Sequence, residues 1–271
     1  MSANNTRTVV VTGASSGIGR ATAAAFAAAG YRVIGTGRTP DKIADSDRVP
    51  GVDYRALDLT DAASIAEFTA GLGAVDILVN NAGESQAGPL AELPGDAIER
   101  LFQLNVFGAV ALTQALLPGM RERGYGRVIM VGSMLGSFPM PYRSSYVATK
   151  AALRGFATSA RFEESPFGVW ITTVEPGQID TGLRERRTKY LNEGSAHTAD
   201  FTRFMAKLDE KQASGIAPEQ VARTIVRAAQ ADRPHQLYAV GSNAPLMFAV
   251  RRVLPRGVME RLIAAAHGLR R

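Results

Sequence analysis

The sequence predicts an α/β protein: a doubly wound sheet of seven mostly parallel strands with helices on both faces. Three observations carry this. Short runs rich in β-branched residues are mostly apolar throughout, as in strands covered on both sides. Alanine-rich stretches of helical pattern alternate with them, as in successive strand–helix–strand units. A glycine cluster stands where the first strand turns into the first helix, so the backbone there must turn tightly.

Seven runs read as strands in chain order. They are TVVVT (8–12), YRVIGTG (31–37), VDYRALDL (52–59), VDILVNN (75–81), RVIMVGS (127–133), VWITTVEPG (169–177) and HQLYAVG (235–241). The first helix covers about 17–29, and Gly30 just past its end is a stop signal. No repeat or low-complexity linker marks a boundary, so residues 1–271 are expected to form one domain. Two segments break the alternation. Residues 182–215 are polar and charged and too long for a simple connector. Residues 245–271 form a helical extension: Leu246, Met247, Val250 and Leu254 recur at helical spacing, Pro255 and Gly257 interrupt, and Val258, Met259, Leu262, Ile263 and Ala266 repeat the pattern.

Composition excludes several classes. With 46% hydrophobic and 21% charged residues the chain is ordinary globular material. Cysteine is absent, which removes disulfides and thiolate metal sites. His197, His235 and His267 are too scattered to suggest a metal set, so no metal is expected. The start runs straight into TRTVVVTG without signal-peptide character, and stretches such as VFGAVALTQALLP fall short of the ~18 residues of a membrane span. A cytoplasmic location is the expectation. The net charge of +6 has no aromatic-interleaved basic stripe behind it, so nucleic acid is not an expected partner. In the tail, arginines 251, 252, 256, 261, 270 and 271 face one acid, Glu260. Such a segment can pack on a partner subunit, lie on an anionic membrane or close over its own cleft. The first is favoured.

Gly13, Gly17 and Gly19 sit between first strand and first helix, where glycines let backbone approach a pyrophosphate at the helix N-terminus. Their spacing is G-x-x-x-G-x-G. The second strand then indicates which dinucleotide. An acid at its end would accept from the ribose 2′-hydroxyl of NAD, yet the sequence reads IGTGRTPDK. Arg38 suits a 2′-phosphate, so NADP(H) is favoured, with NAD(H) possible if Asp41 turns inward.

Tyr146 and Lys150 stand four residues apart, so on a helix they share a face. A free phenol has a pKa of about 10. A neighbouring ammonium favours its ionised form, which suits Tyr146 to general acid and base work. Ser133 ends a strand at the sheet edge where ligands bind, and its hydroxyl can stabilise charge on a reacting oxygen.

Taken together, Thr12-Gly13-Ala14-Ser15-Ser16-Gly17-Ile18-Gly19, Asn80-Asn81-Ala82-Gly83, Asn105, Ser133, Tyr146-x-x-x-Lys150 and Pro176-Gly177 resemble the short-chain dehydrogenases/reductases in identity and order, over about residues 7–241. The resemblance implies a Rossmann-type domain and a hydride-transferring site with Asn105, Ser133, Tyr146 and Lys150 as catalytic residues. It places Ser15, Ser16, Ile18 and the three glycines on the cofactor, Asp58 and Leu59 at the adenine, and Asn81, Ala82 and Gly83 at the adenosine ribose. Pro176, Gly177, Ile179 and Thr181 would hold the nicotinamide, Lys150 its ribose, and Asn105 a proton-relaying water. A homodimer or homotetramer is implied as well.

Met134, Leu135, Phe138, Met140 and Tyr142 flank the catalytic serine and suit an extended apolar substrate, with Ser133, Leu135, Met140 and Tyr146 touching it. This stretch is similar to the 17β-hydroxysteroid-like and retinol-like branch. Residues 182–215 are predicted to form a mobile lid of short helices over that site. A nucleotide-dependent epimerase or dehydratase, and a non-catalytic NADP-binding sensor, are the alternatives.

Overall fold

The computed structural model describes residues 6–180, 182 and 186–269, the Arg256 side chain excepted. The first half alternates except between β2 and β3, which two single 3-10 turns join: β1 (Thr8–Thr12), α1 (Gly17–Ala28), β2 (Arg32–Gly37), β3 (Val52–Ala56), α2 (Ala62–Ala70), β4 (Ile77–Asn80), a two-residue β5 (Gln86–Ala87), α3 (Gly95–Phe102) and α4 (Gly108–Glu122). There follow β6 (Gly126–Val131), α5 (Ser144–Glu164), β7 (Val169–Pro176), a two-residue β8 (Thr188–Lys189), α6 (Thr198–Ala213), α7 (Pro218–Gln230), β9 (Leu237–Val240), α8 (Ala244–Val253) and α9 (Arg256–Ala266).

The seven predicted strands make one sheet in the order β3-β2-β1-β4-β6-β7-β9, and every pairing is parallel. The order reverses at β1, so the carboxyl ends of β1 and β4 flank a crevice in which such sheets bind ligands. Successive side chains of each strand go to opposite faces. Val10, Ile34, Leu78 and Val128 meet Leu112, Met120 and Leu153 from α4 and α5. Val9, Val11, Ile77 and Ile129 meet Phe26, Val221 and Ile225 from α1 and α7. Burying one such side chain contributes roughly 1.5–3 kcal/mol. An exposed ion pair like Arg55–Asp53 contributes at most about 1 kcal/mol, so these two apolar layers carry the fold.

Helix signals are legible locally. Asp61 caps α2 by accepting from the Ala63 amide at 2.9 Å. Pro218 opens α7, where its missing amide hydrogen costs nothing. Helices α3 and α4 are joined by a π-turn, Gln103–Phe107, into one helical run, Gly95–Glu122. By length and composition this run of 28 residues could cross a membrane, beyond what the shorter apolar stretch in the sequence indicated. Its buried stripe, Leu101, Val106, Ala109, Leu112 and Met120, recurs at helical spacing, and Ala109, Leu112 and Met120 belong to the core on that face of the sheet.

Three features differ from expectation. Among the described residues of 182–215 the structure has one helix of 16 residues, α6, rather than short helices. Ahead of it, β8 pairs with β5 in parallel, Thr188 against Gln86. In the C-terminal extension, α8 and α9 break at Pro255 as predicted, and part of their apolar faces turns onto their own chain, while Leu246, Val258 and Leu262 stay exposed. Met259 and Ile263 cluster with Met134, Phe138 and Met247.

Candidate active site

Two cavities meet at the carboxyl edge of the sheet. The first, of about 460 Å³, runs along the glycine loop, and the second, of about 600 Å³, lies under α6, α8 and α9. Tyr146, Ile18 and Gly132 line both.

The first cleft collects most of the predicted cofactor residues: Gly13, Ser15, Ser16, Gly17, Ile18, Arg38, Asp58, Leu59, Asn81, Ala82, Gly83 and Lys150. Gly13 has φ +67°, a left-handed conformation that favours glycine. Gly19 does not line the cleft but lies behind the loop. A Cβ there would come 2.1 Å from the Gly13 carbonyl oxygen, so Gly19 lets the helix pack close under the turn. The Thr12 hydroxyl accepts from the Asn81 and Ala82 amides at 2.9 and 3.0 Å, and Asn81 Nδ2 donates to the Thr12 carbonyl at 2.9 Å. These bonds fix the loop against the end of β4. The Asp58 carboxylate accepts from the Thr60 hydroxyl and amide, which hold its pKa below the usual value, and Arg38 acts in the same direction.

Pro176, Gly177 and Ile179 line the second cavity rather than the first, so the predicted nicotinamide end falls at the junction. Thr181 lies outside the described residues. Ser133, Met134, Leu135, Phe138 and Met140 line this cavity as expected. Tyr142 does not. Its ring packs on His197, Phe201 and Phe204, outside the cavity wall.

Around the junction each polar group is held differently. Lys150 Nζ donates to the Val131 carbonyl at 3.0 Å and sits 5.7 Å from the Tyr146 ring centre. Ser133 Oγ accepts from the Leu135 amide at 3.2 Å, leaving its own hydrogen to donate. Asn105 lines neither cavity. It sits in the π-turn, buried, accepting from the Glu84 amide at 2.9 Å and donating to the Glu84 carbonyl and Thr149 hydroxyl. Its visible work is to brace the backbone after Gly83.

Several groups here carry no motif in the sequence. Arg143 lies against the Tyr146 ring, 4.7 Å from its centre, and donates to the Ser85 hydroxyl and Gln86 carbonyl. Burial, with Arg187 nearby, pulls its pKa down to about 10, so it stays cationic at neutral pH. Arg186 lines the first cleft and reaches the Ser16 hydroxyl at 2.9 Å, while Arg187 pairs with Asp209 at 2.9 Å and also donates to Gln212, both on α6. Glu175, fully buried in β7, accepts from the Ser137 hydroxyl at 2.7 Å, and burial pushes its carboxyl pKa up.

A parallel sheet with a glycine-loop cleft opening onto a tyrosine, serine and lysine defines a nucleotide-dependent oxidoreductase. The comparisons agree. The short chain dehydrogenase family matches residues 7–192, and the chain belongs to the short-chain dehydrogenase/reductase family. Dehydrogenase/reductase SDR family member 7B of Bos taurus is 35% identical over 95% of this chain and 80% of its own length. A crystal structure of a short-chain dehydrogenase from Streptomyces avermitilis superposes with a TM-score of 0.83 at 33% identity, covering 99% of each chain. A short-chain dehydrogenase from Sphingobium yanoikuyae in complex with NADPH superposes at 0.71 and 25% identity, covering 93% and 94%.

Proposed function

We propose that this oxidoreductase uses NADP(H) to interconvert an apolar ketone or aldehyde and its alcohol. The observation that carries the reading is the position of Tyr146, on the wall of both cavities. One cavity is shaped by glycine backbone and rimmed by arginine. The other is walled by methionine, leucine and phenylalanine.

When bound, the cofactor supplies or accepts the hydride. The residues of the chain handle the proton and the oxygen. In reduction the Tyr146 hydroxyl gives its proton to the carbonyl oxygen, and in oxidation it takes the proton back. The Ser133 hydroxyl donates to the same oxygen and stabilises its developing charge. Lys150 is anchored by one hydrogen bond to Val131, which leaves two ammonium hydrogens for ribose hydroxyls. The cationic groups of Lys150 and Arg143 beside the tyrosine ring stabilise the negative charge left on its oxygen.

Arg38 favours NADP over NAD. It lines the cleft, whereas Asp41, in the turn Pro40–Lys42, does not. The NADPH complex of the Sphingobium relative supports the choice. Self-association through α5 fits the exposure of Phe156 (46%) and Phe162 (74%) on that helix. The deciding experiment follows NADPH absorbance with a panel of ketones, aldehydes, steroids and sugars. Turnover by the wild type, lost in Tyr146→Phe, supports the reading. NADPH binding without turnover of any compound favours the sensor alternative.

A further inference from the structure

Four cationic side chains line the cofactor cleft: Arg38, Arg100, Lys150 and Arg186. Three are accounted for. Arg38 stands just past the end of β2 for the 2′-phosphate, Lys150 is bonded to the Val131 carbonyl beside Tyr146, and the Arg100 guanidinium pairs with the Glu84 carboxylate. Arg186 has no such assignment. It is exposed, and its partners among the described residues are neutral: Nε donates to the Gly182 carbonyl and Nη1 to the Ser16 hydroxyl, each at 2.9 Å.

Those two bonds fix where the charge sits. Ser16 is the residue before α1, and its hydroxyl accepts from Arg186 instead of capping the helix. The first turn of α1 holds no acid either. The guanidinium is therefore brought to the amide end of a helix, which already carries positive partial charge. Like stands beside like, an arrangement that an anion held by both turns favourable.

We propose that Arg186 is a diphosphate clamp, pairing with the bridging diphosphate of the nicotinamide dinucleotide while the glycine-loop amides donate to the same group. The inference rests on the dinucleotide reading of this cleft. Place selects the diphosphate over the 2′-phosphate. The glycine loop at Ser16 is the stretch that such sheets bring to the pyrophosphate, whereas the 2′-phosphate is expected past β2, at Arg38. The planar fork can keep its bond to Ser16 through Nη1 and offer Nη2 to a phosphate oxygen. NADH and NADPH share the diphosphate, so Arg186 adds affinity for both without choosing between them. The choice is left to Arg38.

The test measures binding to the full chain by calorimetry, without substrate or turnover. Arg186→Gln can still donate to Ser16 but carries no charge. In that variant NADPH, NADH and ADP-ribose should each bind about three- to ten-fold more weakly, since an exposed cation is partly screened by solvent. The probe 2′-AMP, whose one phosphate belongs at the Arg38 end, should bind as it does to the wild type. Arg186→Lys should keep part of the affinity, and added salt should narrow the gap between wild type and Arg186→Gln. Unchanged dinucleotide affinity in Arg186→Gln, a loss confined to NADPH, or a gap that salt leaves untouched overturns the proposal. A wild type that binds neither NADH nor NADPH overturns the reading of the cleft and the clamp with it, so the two failures are told apart.

Discussion

The two cavities that meet at Tyr146 are built by different means. The cofactor cleft is a backbone structure. Its walls are largely loops at the ends of β1, β2 and β4, fixed by bonds between side chain and main chain such as those of Thr12 and Asn81. The second cavity is a side-chain structure, assembled from α6, α8, α9 and the stretch after β6, far apart in sequence. A sheet edge with a fixed crevice can serve any substrate, while the helices laid over it decide which one enters.

Substitutions at the junction should have the largest effect and belong to neither cavity alone. Tyr146→Phe is expected to lower kcat by about 10²–10⁴-fold with NADPH affinity and melting temperature nearly unchanged, because only the proton-transfer group is lost. Single-turnover rates with calorimetry check this, and rapid turnover by the variant would remove Tyr146 from the mechanism.

Arg38→Asp should act on the cleft alone. Losing a charge-assisted bond to a 2′-phosphate corresponds to about 10–100-fold in NADPH affinity, with relative use of NADH improved. Comparing kcat/KM for the two cofactors measures it, and a wild type that already prefers NADH would break the contrast at this point.

Leu262→Asp should act on the substrate cavity alone. Leu262 lines it yet is half exposed, so a charge there is tolerated by the fold. An apolar carbonyl substrate should show KM raised about five- to ten-fold, with the KM for NADPH unchanged. A rise in both would mean the cavities are not separable.

The smallest effect is a dependence of stability on pH from Glu175, which accepts from the Ser137 hydroxyl in the stretch after β6. Its folded pKa lies above the ordinary 4.5, chiefly through burial. The unfolded carboxyl therefore releases its proton first, and the contribution to stability, complete below pH 4.5, is lost as pH rises through the folded pKa. Melting curves should show Glu175→Gln gaining relative to wild type as pH climbs from about 4 to neutrality. A constant difference would mean that Glu175 does not titrate in that window.

What could be seen in the sequence follows the same division. The cleft was legible because its parts are local: a glycine spacing, an Arg38 at a strand end, a tyrosine and lysine one helical turn apart. The seven strands were legible because most are apolar on both faces, although β3 carries the Asp53–Arg55 ion pair. The walls of the second cavity were not, since periodicity marks which side of a helix is apolar but not what covers it. Thus a partner surface was the favoured reading of α8 and α9, while the structure turns Met247, Met259 and Ile263 onto Met134 and Phe138. For α6 the signal was present. Phe201, Phe204, Met205 and Leu208 recur at helical spacing across 16 residues, where short helices were predicted. Arg143, Arg186 and Glu175 act through contacts with residues distant along the chain, or through burial, and no spacing announces either. The β5–β8 pair is two residues long on each side, too short for a strand pattern.

Arg186 and Arg187 are neighbours in the chain that serve separate cavities, the first as a wall residue of the cleft and the second as a partner of Gln212 on the wall of the other. One side chain bonds Ser16 on the glycine loop, and the next bonds Asp209 and Gln212 on α6. The two ligands of the protein thus share a joint, and thermodynamic linkage makes any influence through it mutual. If a filled cleft raises the affinity of the second cavity by some factor, a filled second cavity raises cofactor affinity by the same factor. Loosening either arginine should weaken both halves of that bargain equally, a symmetry that two titrations, each ligand in the presence of the other, can read directly.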